Sequence, residues 1–495
     1  MNQYYFDFRG LWYAVRLITV FVSVVFLWTY VARHTDLFFA DPESQWLSPV
    51  FTHRPVLYKE LADGTVIFAN HEEVLKKRDQ FNQEKRDFIF ADLKEMKLVV
   101  YRSGVEKTSF PIQAKGREGS FFETPSGVYR VQSKESNHFS SIGQVWMPWS
   151  MHFFGNYFIH GWPYYPNGKP VAETFSGGCI RLTSEDAKAI FGIIKTDMPV
   201  LVYAKSGNAQ TDLKFFQKVS DSSSLSLTAP SVLAVDFDSG QILYEKEKTV
   251  IHPIASLTKL MTALVAVETI NRFKTVTVTQ SAVNTEGTAG DLVVGETFKS
   301  EDLLYPLLLT SSNDAATLYA EQTYNFVPTM NEKAQAIGMA NTHFEDPSGL
   351  DPRNVSTTED IFKLLRFIYL HKKPIFEISS LKHYVLSSLN KTKTHDWFNL
   401  NWPVTDPRFV AGKSGTIPEA GKNMTGVYRL KLSEQGERSV AIIVLHSEDR
   451  KKDIETIIKY LESNFVYGTV LTHRGKNPET IPAVAPEGAA VYQAL

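Results

Sequence analysis

The sequence predicts a multidomain protein with an N-terminal transmembrane helix, a mostly-β domain and then an α/β domain whose antiparallel sheet is flanked by helices. Three observations predict this architecture. The 495 residues are more than one ordinary domain needs. An apolar stretch over residues 11–32 is close to membrane-spanning length. Short alternating runs dominate residues 97–204, whereas strand-like runs at both ends of residues 230–467 enclose helical patterns.

The composition fits a folded protein and narrows its chemistry. With 43% hydrophobic and 21% charged residues, the chain can bury sizeable cores. Its 52 Lys and Arg against 54 Asp and Glu leave a formal net charge of −2, so no global positive field argues for nucleic acid. The single cysteine, Cys179, excludes an intramolecular disulfide and any multi-cysteine metal site. It is therefore either a buried filler or a reactive thiol.

The first 35 residues predict a cytoplasmic stub and a membrane anchor. Residues 11–32 are apolar apart from Arg16, which can snorkel toward one headgroup layer. Arg9 and Arg16 precede the stretch, and this bias favours a cytoplasmic N-terminus. The pattern predicts a single-pass protein of the cell membrane, with everything after residue 35 outside. A cleaved signal peptide and a buried soluble helix are the alternatives.

Changes in the sequence pattern divide the rest of the chain. Residues 36–96 are first mixed and then charge-rich with a rough helical stripe, which predicts a spacer with helical character. The runs over residues 97–204 predict the β domain, and the Ser-rich residues 205–229 predict a linker. Residues 230–467 carry the α/β pattern, and residues 468–495 predict a tail.

The only cysteine lies in a pattern that suits nucleophilic chemistry. A thiolate at Cys179 is a strong nucleophile when a base or a positive neighbour activates it. His160 ends an apolar run upstream, and two strands joined by a long loop would bring it within hydrogen-bond reach of the thiol. Arg181 would share that face of a strand and bind a carboxylate. An inert cysteine is one alternative, and a metal site that adds His138 and His152 to this pair is another.

Residues 97–204 resemble the YkuD-type L,D-transpeptidase catalytic domain in the order of TPSG, MPWSMHFFG, IHG and the S-G-G-C-I-R segment around the cysteine. The resemblance implies that Cys179 attacks the bond between meso-diaminopimelate and D-Ala in a tetrapeptide stem. His160 would be the general base, oriented by the Gly161 carbonyl, and Arg181 a substrate or structural contact.

One position departs from that family's pattern. Gly177 stands where the family usually has a histidine two residues before the cysteine. Gly177 and Gly178 free the backbone for N–H groups to approach an oxyanion, but the missing imidazole affects oxyanion stabilisation or substrate positioning. The domain is therefore predicted to be either an active thiol enzyme or a degenerate module that binds stem peptides.

Three further motifs, in a fixed order, predict serine chemistry. Ser256 and Lys259 open an apolar helical stretch, and their spacing places them on one helix face, one turn apart. A serine at a helix start lies in the positive end of the macrodipole, and a desolvated lysine has a lowered pKa that lets it take the serine proton. The triplet Ser311–Asn313 then follows an apolar helix, and Lys413–Thr416 begins a predicted strand.

Residues 230–467 resemble the D-alanyl-D-alanine carboxypeptidases, low-molecular-mass penicillin-binding proteins, in HPIASLTKLMTALVAVE, LLLTSSNDAA, FEDPSGLD and GKSGTIPEAG. The resemblance implies a β-lactamase-like α/β fold and acyl-enzyme chemistry on Ser256. Lys259 would deprotonate Ser256, and Ser311 would relay the proton to the departing D-Ala nitrogen.

The same resemblance implies how substrate is held. Asn313 would bind the backbone of the stem peptide. Lys413 would steer the terminal carboxylate and keep Lys259 neutral, and the Thr416 hydroxyl would bind that carboxylate. The backbone N–H groups of Ser256 and Thr416 would form the oxyanion hole.

Together the two motif sets predict a peptidoglycan-remodelling enzyme. A serine D,D-carboxypeptidase would trim pentapeptide stems, and a cysteine L,D-transpeptidase or L,D-carboxypeptidase would use the tetrapeptide product, at a local concentration raised by the linker. The predicted partners are stem peptides, β-lactams as covalent inhibitors and the membrane, with no nucleic acid, metal or cofactor. The alternatives are an active D,D-carboxypeptidase with a degenerate L,D domain, and a non-catalytic wall-binding or β-lactam-sensing membrane protein.

Overall fold

The computed structural model describes residues 70–172, 176–204, 214–218, 225–287, 290–433 and 436–469, all within one compact unit, Gly64–Leu495. The predicted anchor, the predicted spacer up to residue 69, most of the predicted linker and nearly all of the predicted tail lie outside the described residues. Within the described ranges, no helix combines the length and apolar character needed to cross a membrane.

Residues 70–204, called the thiol region below, fold as two small sheets with one helix against each. Helix α1 is Asn70–Gln83 and helix α2 is Ser184–Ile193. The strands described here are β1 (Phe88–Asp92), β2 (Lys97–Arg102), β3 (Val105–Pro111), β4 (Gly127–Arg130), β5 (Ser133–Ser140), β6 (Val145–Phe154), β7 (Tyr157–His160), β8 (Ile180–Arg181) and β9 (Pro199–Tyr203).

The two sheets of the thiol region enclose its core between them. One has the order β3-β2-β1-β9-β4 and the other β5-β6-β7-β8, with parallel pairing only at β1/β9 and β7/β8. Ile89 and Val200 pack from the first sheet against Phe153 and Ile159 of the second. The opposite face of the first sheet is covered by α1, so β1 and β9 are buried on both faces and read as continuous apolar runs.

The predicted start of this domain at residue 97 is wrong. Strand β1 lies between β2 and β9 inside the sheet, so the fold already includes Phe88–Asp92. The sequence reading assigned Phe88 to a helical stripe because the five-residue strand follows directly on the charged helix Asn70–Gln83. A short, fully buried strand has no alternation to reveal it.

Residues 225–469, called the serine region below, form an α/β domain. Its described helices are α3 (Thr258–Thr269), α4 (Gln280–Val283), α5 (Asn313–Glu321), α6 (Phe326–Ala336), α7 (Thr358–His371), α8 (Lys373–Ser380) and α9 (Arg450–Asn464). The strands are β10 (Lys214–Lys218), which lies ahead of the region, β11 (Ser231–Asp236), β12 (Ile242–Lys246), β13 (His252–Pro253), β14 (Thr275–Thr277), β15 (Thr297–Lys299), β16 (Val355–Ser356), β17 (His383–Ser387), β18 (Thr394–Phe398), β19 (Phe409–Ile417), β20 (Gly421–Ser433), β21 (Gly436–Ser447) and β22 (Phe465–Thr469).

The main sheet of the serine region is antiparallel and has helices on both faces. Its strand order is β12-β11-β21-β20-β19. Alternate residues of β11 and β21 point to opposite faces, where Leu233 and Ile443 pack toward α3 and α7 while Val232 and Val444 pack toward α9. Helix α3 is buried on nearly every side, so it lies in the centre of the domain and is apolar around most of its circumference.

The predicted linker is partly strand. Residues 214–218 form β10, which pairs antiparallel with β22 near the end of the described chain. Thr228 and Ala229 are held to Asp453 of α9 by hydrogen bonds of 2.7 to 2.9 Å. The Ser-rich composition did not reveal these pairings because their partners lie more than two hundred residues later in the chain.

Candidate functional sites

The first candidate site is centred on Ser256, in the 3₁₀ turn Ala255–Leu257 immediately before α3. Strand β19 passes close beside this turn, because a methyl group at Gly415 would lie 2.7 Å from the backbone nitrogen of Ser256. Only glycine permits this approach. The backbone of β19 therefore lines the same cleft as the serine.

Lys259 is completely buried and meets the serine hydroxyl directly. Its Nζ lies 3.0 Å from Ser256 Oγ and donates to Asn313 Oδ1 at 2.7 Å and to the Ser348 carbonyl at 2.6 Å. Burial lowers the pKa of Lys259 to about 7, and the nearby charge of Asp346 opposes this shift. A large fraction of Lys259 is therefore neutral near pH 7 and able to accept a proton.

Ser311 and Lys413 form a second hydrogen-bonded pair. Ser311 ends the π-helical turn Pro306–Thr310 in the left-handed conformation, with φ of 61°. Lys413 Nζ donates to Ser311 Oγ at 2.9 Å, and burial lowers the pKa of Lys413 well below its usual value, as does the neighbouring charge of Lys259. Contacts of 3.0 Å or less thus join Lys259 to Ser256 and Asn313, and Lys413 to Ser311. The effect of the Lys259 charge on the Lys413 pKa indicates that the two sets are neighbours.

Thr416 is linked to a cation that the sequence reasoning missed. Arg450 Nη1 donates to Thr416 Oγ1 at 2.9 Å and to the Gly415 carbonyl at 3.2 Å. Arg450 is the first residue of α9, where a positive charge opposes the helix macrodipole. That unfavourable placement is the signal that could have identified it. Asn401 was also missed; its Oδ1 accepts from the Ser414 hydroxyl and fixes the strand beside the serine.

The second candidate site, the thiol site, consists of His160, Cys179 and Arg181. Parallel pairing of β7 with β8 places His160 opposite Arg181. His160 Nδ1 lies 2.6 Å from the Gly161 carbonyl, which can only accept, so Nδ1 carries the proton and Nε2 is the free acceptor. Burial lowers the pKa of His160 to about 4, so the imidazole is neutral at neutral pH.

Cys179 is a buried thiol in this conformation. Its Sγ donates to the Asn156 carbonyl at 3.6 Å, and among the described residues no hydrogen bond joins it to His160. Burial raises the pKa of Cys179 to about 11, so little thiolate is present at neutral pH. Cys179 directly precedes β8, whose Arg181 pairs with His160, and in the described residues no hydrogen bond connects the thiol to the imidazole.

Arg181 is a buried cation whose donors are incompletely used. Its side chain packs 5.2 Å from the ring of Trp162, and the residue is only 4% exposed. Within the described part of the chain, its Nε and Nη1 atoms have no hydrogen-bond partner. A buried guanidinium with free N–H groups is a ready binding site for a carboxylate.

The turn Ser176–Cys179, called the cysteine turn below, contains two glycines, of which only the first has space for a side chain. A methyl group at Gly177 would meet nothing within 4 Å, so the structure has room for a side chain there. At Gly178, with φ of +113°, a methyl group would lie 2.2 Å from the ring of Tyr157. Glycine is therefore required by packing at position 178 but not at position 177.

The alternative of a metal site gains no support from the geometry. In the residues that the structure describes, no group of three or more His, Cys, Asp or Glu side chains is placed to hold an ion. His138 and His152 instead stack on the ring of Phe158, with centroid separations of 4.6 and 4.7 Å.

Comparison with known families agrees with both sets of motifs. The D-alanyl-D-alanine carboxypeptidase family model matches residues 217–448, and the L,D-transpeptidase catalytic domain model matches residues 86–202. The chain belongs to the D-alanyl-D-alanine carboxypeptidase family and carries an L,D-transpeptidase-type domain ahead of it. The resemblance to both families that the sequence predicts is confirmed.

Several known proteins are similar to part of this chain. A D-alanyl-D-alanine endopeptidase of Haemophilus influenzae is 33% identical over 206 residues, which is 40% of this chain and 69% of that protein. Relatives with the same name from Pseudomonas aeruginosa and Escherichia coli are 34% and 30% identical, and the chain spans about half of their length, 47% and 58%. The D,D-transpeptidase of Streptomyces K15 aligns in structure over 49% of this chain and 100% of its own, with 25% identity and a TM-score of 0.45.

Proposed function

We propose that this chain is a peptidoglycan-remodelling enzyme that combines a serine D,D-carboxypeptidase with a cysteine L,D-transpeptidase or L,D-carboxypeptidase. The observation that carries the proposal is the contact of 3.0 Å between Lys259 Nζ and Ser256 Oγ, in a site where burial brings the lysine pKa to about 7. A neutral amine beside a serine hydroxyl is the arrangement that an acyl-enzyme mechanism needs.

In the acylation step, Lys259 takes the proton of Ser256 as Oγ attacks the carbonyl of the penultimate D-Ala. The oxyanion that forms is held by the backbone N–H groups of Ser256 and Thr416, an assignment supported by the close passage of β19 beside Ser256. Ser311, hydrogen-bonded to Lys413, passes a proton to the nitrogen of the departing D-Ala, and water then hydrolyses the ester on Ser256.

The terminal carboxylate of the stem is assigned to the end of strand β19. Thr416 supplies a hydroxyl there, and Arg450 supplies a charge-assisted donor that already contacts Thr416. Lys413, which donates to Ser311, supplies a further hydrogen-bond donor in this site. Asn313 is left to hold the peptide backbone, although its Oδ1 in the free enzyme also accepts from Lys259.

For the thiol site, we infer acyl transfer from the tetrapeptide that the serine site produces. Cys179 would attack the carbonyl next to the terminal D-Ala, with His160 Nε2 taking the thiol proton, and D-Ala would leave. The amine of another stem, or water, then takes the acyl group. Support comes from the orientation of His160 by the Gly161 carbonyl and from the unfilled donors of Arg181, which suit a stem carboxylate.

Two observations favour a second candidate function, one for each region. The raised pKa of Cys179 and the glycine at position 177 favour a stem-binding module without catalysis as the second candidate for the thiol region. The relatives of 30 to 34% identity named as endopeptidases favour cleavage of cross-linked peptides as a second candidate for the serine site. The same acyl-enzyme chemistry serves both substrates.

The predicted membrane anchor and extracytoplasmic location stay proposals. They are supported by the apolar residues 11–32 and by the arginines that precede them. Membrane fractionation of the full chain and of a form that lacks residues 1–35 tests them. Recovery of both forms in the soluble fraction would contradict the anchor.

Product analysis tests the two activities. Pentapeptide, tetrapeptide and cross-linked stem peptides are incubated with the wild-type chain, Ser256→Ala and Cys179→Ala, and the products are identified by mass spectrometry. We expect Ser256→Ala to lose the release of D-Ala from pentapeptide and labelling by fluorescent penicillin. Cys179→Ala should lose only the reactions of the tetrapeptide. If Cys179→Ala changes nothing, the thiol region is a binding module, and if cross-linked peptide is cut faster than pentapeptide, the serine site is an endopeptidase.

A further inference from the structure

Buried ionisable side chains join the thiol region to the serine region. This interface cluster comprises Glu123 from the first region and Glu268, Lys333, His371 and Lys372 from the second, each at most 2% exposed. Two contacts cross between the regions: His371 Nδ1 lies 2.6 Å from Glu123, and Lys333 Nζ donates to the Tyr129 hydroxyl at 3.0 Å. Within the serine region, Lys333 Nζ also lies 2.8 Å from Glu268. Buried charges are costly unless paired, so contacts of this quality indicate that the two regions are held in one fixed arrangement.

Lys372 differs from the other members of the cluster in what it contacts. Its Nζ donates to the Glu123 carbonyl at 2.7 Å, to the Phe121 carbonyl at 3.2 Å and to the Tyr157 hydroxyl at 3.3 Å. All three acceptors belong to the thiol region, whereas Lys372 belongs to the serine region. The three N–H groups of the ammonium are therefore all directed across the interface, with the Glu268 carboxylate at 3.7 Å to balance the charge.

The residues that Lys372 contacts belong to the segments that pack against the cysteine turn. The ring of Tyr157 packs directly against Gly178, where a methyl group would lie 2.2 Å away. The Phe122 carbonyl, between Phe121 and Glu123, would lie 3.2 Å from the same methyl group. A displacement of Tyr157 or of the segment around Phe122 would consequently shift the backbone that carries Cys179.

We propose that Lys372 is a positioning residue for Cys179, so that the serine region completes the active site of the thiol region. The inference rests on the proposed acyl transfer at Cys179. Three donors on one side chain fix the Tyr157 hydroxyl and the carbonyls on either side of Phe122. The Tyr157 ring and the Phe122 carbonyl lie against Gly178, so their positions set the height of the cysteine turn and hence the path of the thiol toward His160 and a bound carbonyl. Small errors in such placement cost large factors in rate.

The test uses the full chain and a matched pair of variants. Lys372→Met removes the three contacts, and Lys333→Met removes an equally buried ammonium of the same cluster that contacts Glu268 and the Tyr129 hydroxyl instead. Acylation of Cys179 by a meropenem-type carbapenem is followed by mass spectrometry in a Ser256→Ala background, with the rate constant separated from the affinity. Fluorescent penicillin on Ser256, in chains that keep the serine, reports whether the serine region is folded.

We expect Lys372→Met to lower the acylation rate constant about 10- to 100-fold with little change in affinity, whereas Lys333→Met stays within about threefold of the wild type. Lys372→Arg should recover most of the rate, because a guanidinium can donate to the same carbonyls. Iodoacetamide should alkylate Cys179 faster in Lys372→Met, since a loosened turn exposes the thiol. A wild-type rate in Lys372→Met, equal losses in both methionine variants, or no recovery with arginine would overturn the proposal.

Two outcomes separate this inference from the proposed function. If carbapenem does not react with Cys179 in the wild type, acyl transfer at the thiol is refuted, and the change in iodoacetamide rate alone decides whether Lys372 positions the turn. If Lys372→Met loses penicillin labelling because it does not fold, Tyr157→Phe takes its place. That variant removes one acceptor and keeps the ring under Gly178, and we expect a loss of about threefold.

Discussion

The serine site and the thiol site differ in how complete their hydrogen bonding is in the folded chain. In the serine site, Lys259 Nζ has three hydrogen-bond contacts, to Ser256 Oγ, Asn313 Oδ1 and the Ser348 carbonyl, and Lys413 is bonded to Ser311. In the thiol site, Cys179 Sγ lies 3.6 Å from the Asn156 carbonyl, and two buried nitrogen atoms of Arg181 have no hydrogen-bond partner among the described residues. The proposed reacting groups of the serine site are therefore already hydrogen-bonded in the free chain, whereas those of the thiol site are not.

This contrast assigns different roles to burial. In the serine site, burial shifts the Lys259 pKa to about 7 and so creates the base. In the thiol site, burial raises the Cys179 pKa to about 11 and so suppresses the nucleophile. Burial therefore activates an amine base and deactivates an acidic nucleophile, because it always favours the neutral form.

The largest effect that tests the comparison is expected at Lys259. Lys259→Met keeps the volume and removes the base, and we expect the acylation of Ser256 by fluorescent penicillin to fall about 10²- to 10⁴-fold. Carbapenem acylation of Cys179 should remain unchanged. Lys333→Met serves as the control for loss of a buried lysine, and a similar fall in that control would show that the effect reflects folding rather than proton transfer.

The second effect concerns Arg181, where function and stability should oppose each other. Arg181→Met is expected to lower turnover of tetrapeptide about 10- to 100-fold, because the stem carboxylate loses its partner, and to raise the free energy of unfolding by about 1–3 kcal/mol, because a buried group with unsatisfied donors is removed. Steady-state kinetics and chemical denaturation measure the two. A variant that is both less active and less stable would indicate that Arg181 supports the fold in the free protein.

The third test is a pair of pH profiles. Lys259 must be neutral to act, so the acylation rate of Ser256 should rise about tenfold per pH unit below pH 7 and level off above it, as expected for a base whose pKa is about 7. Alkylation of Cys179 by iodoacetamide should keep rising about tenfold per unit through pH 9, because its pKa is about 11. Cys179→Ala and Ser256→Ala isolate the two reactions. A plateau in the thiol profile below pH 8 would mean that a thiolate–imidazolium pair forms without substrate.

The smallest expected effect is a gain at Gly177. Gly177→His restores the imidazole that related domains carry, in a place where the structure has open space, and we expect a several-fold faster acylation of Cys179 by carbapenem. Gly178→Ala is the matched control, since its methyl group would collide with Tyr157 and the variant should be destabilised by about 1–3 kcal/mol. No gain from the histidine would place the limit on the rate elsewhere, in the contact between Cys179 and His160.

The sequence predicted which residues meet in the candidate serine site better than it predicted how deeply they are buried. A spacing of three residues was enough to place Ser256 and Lys259 together, since helix periodicity determines that contact. The complete burial of Lys259, which decides its pKa, depends on the loop around Ser348 and on β19, far away in the chain. No local pattern carries that information.

The sequence analysis did not identify the buried charged residues. Glu268, Lys333 and Lys372 carry charges typical of a protein surface, yet all three are buried. Arg450 lies in a charged run typical of an exposed helix end, yet it reaches Thr416. A charge is predicted to be exposed until its partner is known, and here the partners come from other elements.

Helix α3 extends from the candidate serine site to the surroundings of the candidate thiol site. It starts one residue after the turn that carries Ser256, and at its other end the Glu268 carbonyl accepts from the backbone N–H of Asn156 at 3.3 Å. Asn156 is the residue whose carbonyl accepts from the Cys179 thiol. One rod of 12 residues, about 18 Å long, therefore separates the surroundings of the two nucleophiles. We expect a protease cut within residues 205–213 to break the chain but to leave one particle under native conditions. The two regions would then remain associated through their buried contacts, like the subunits of a stable complex.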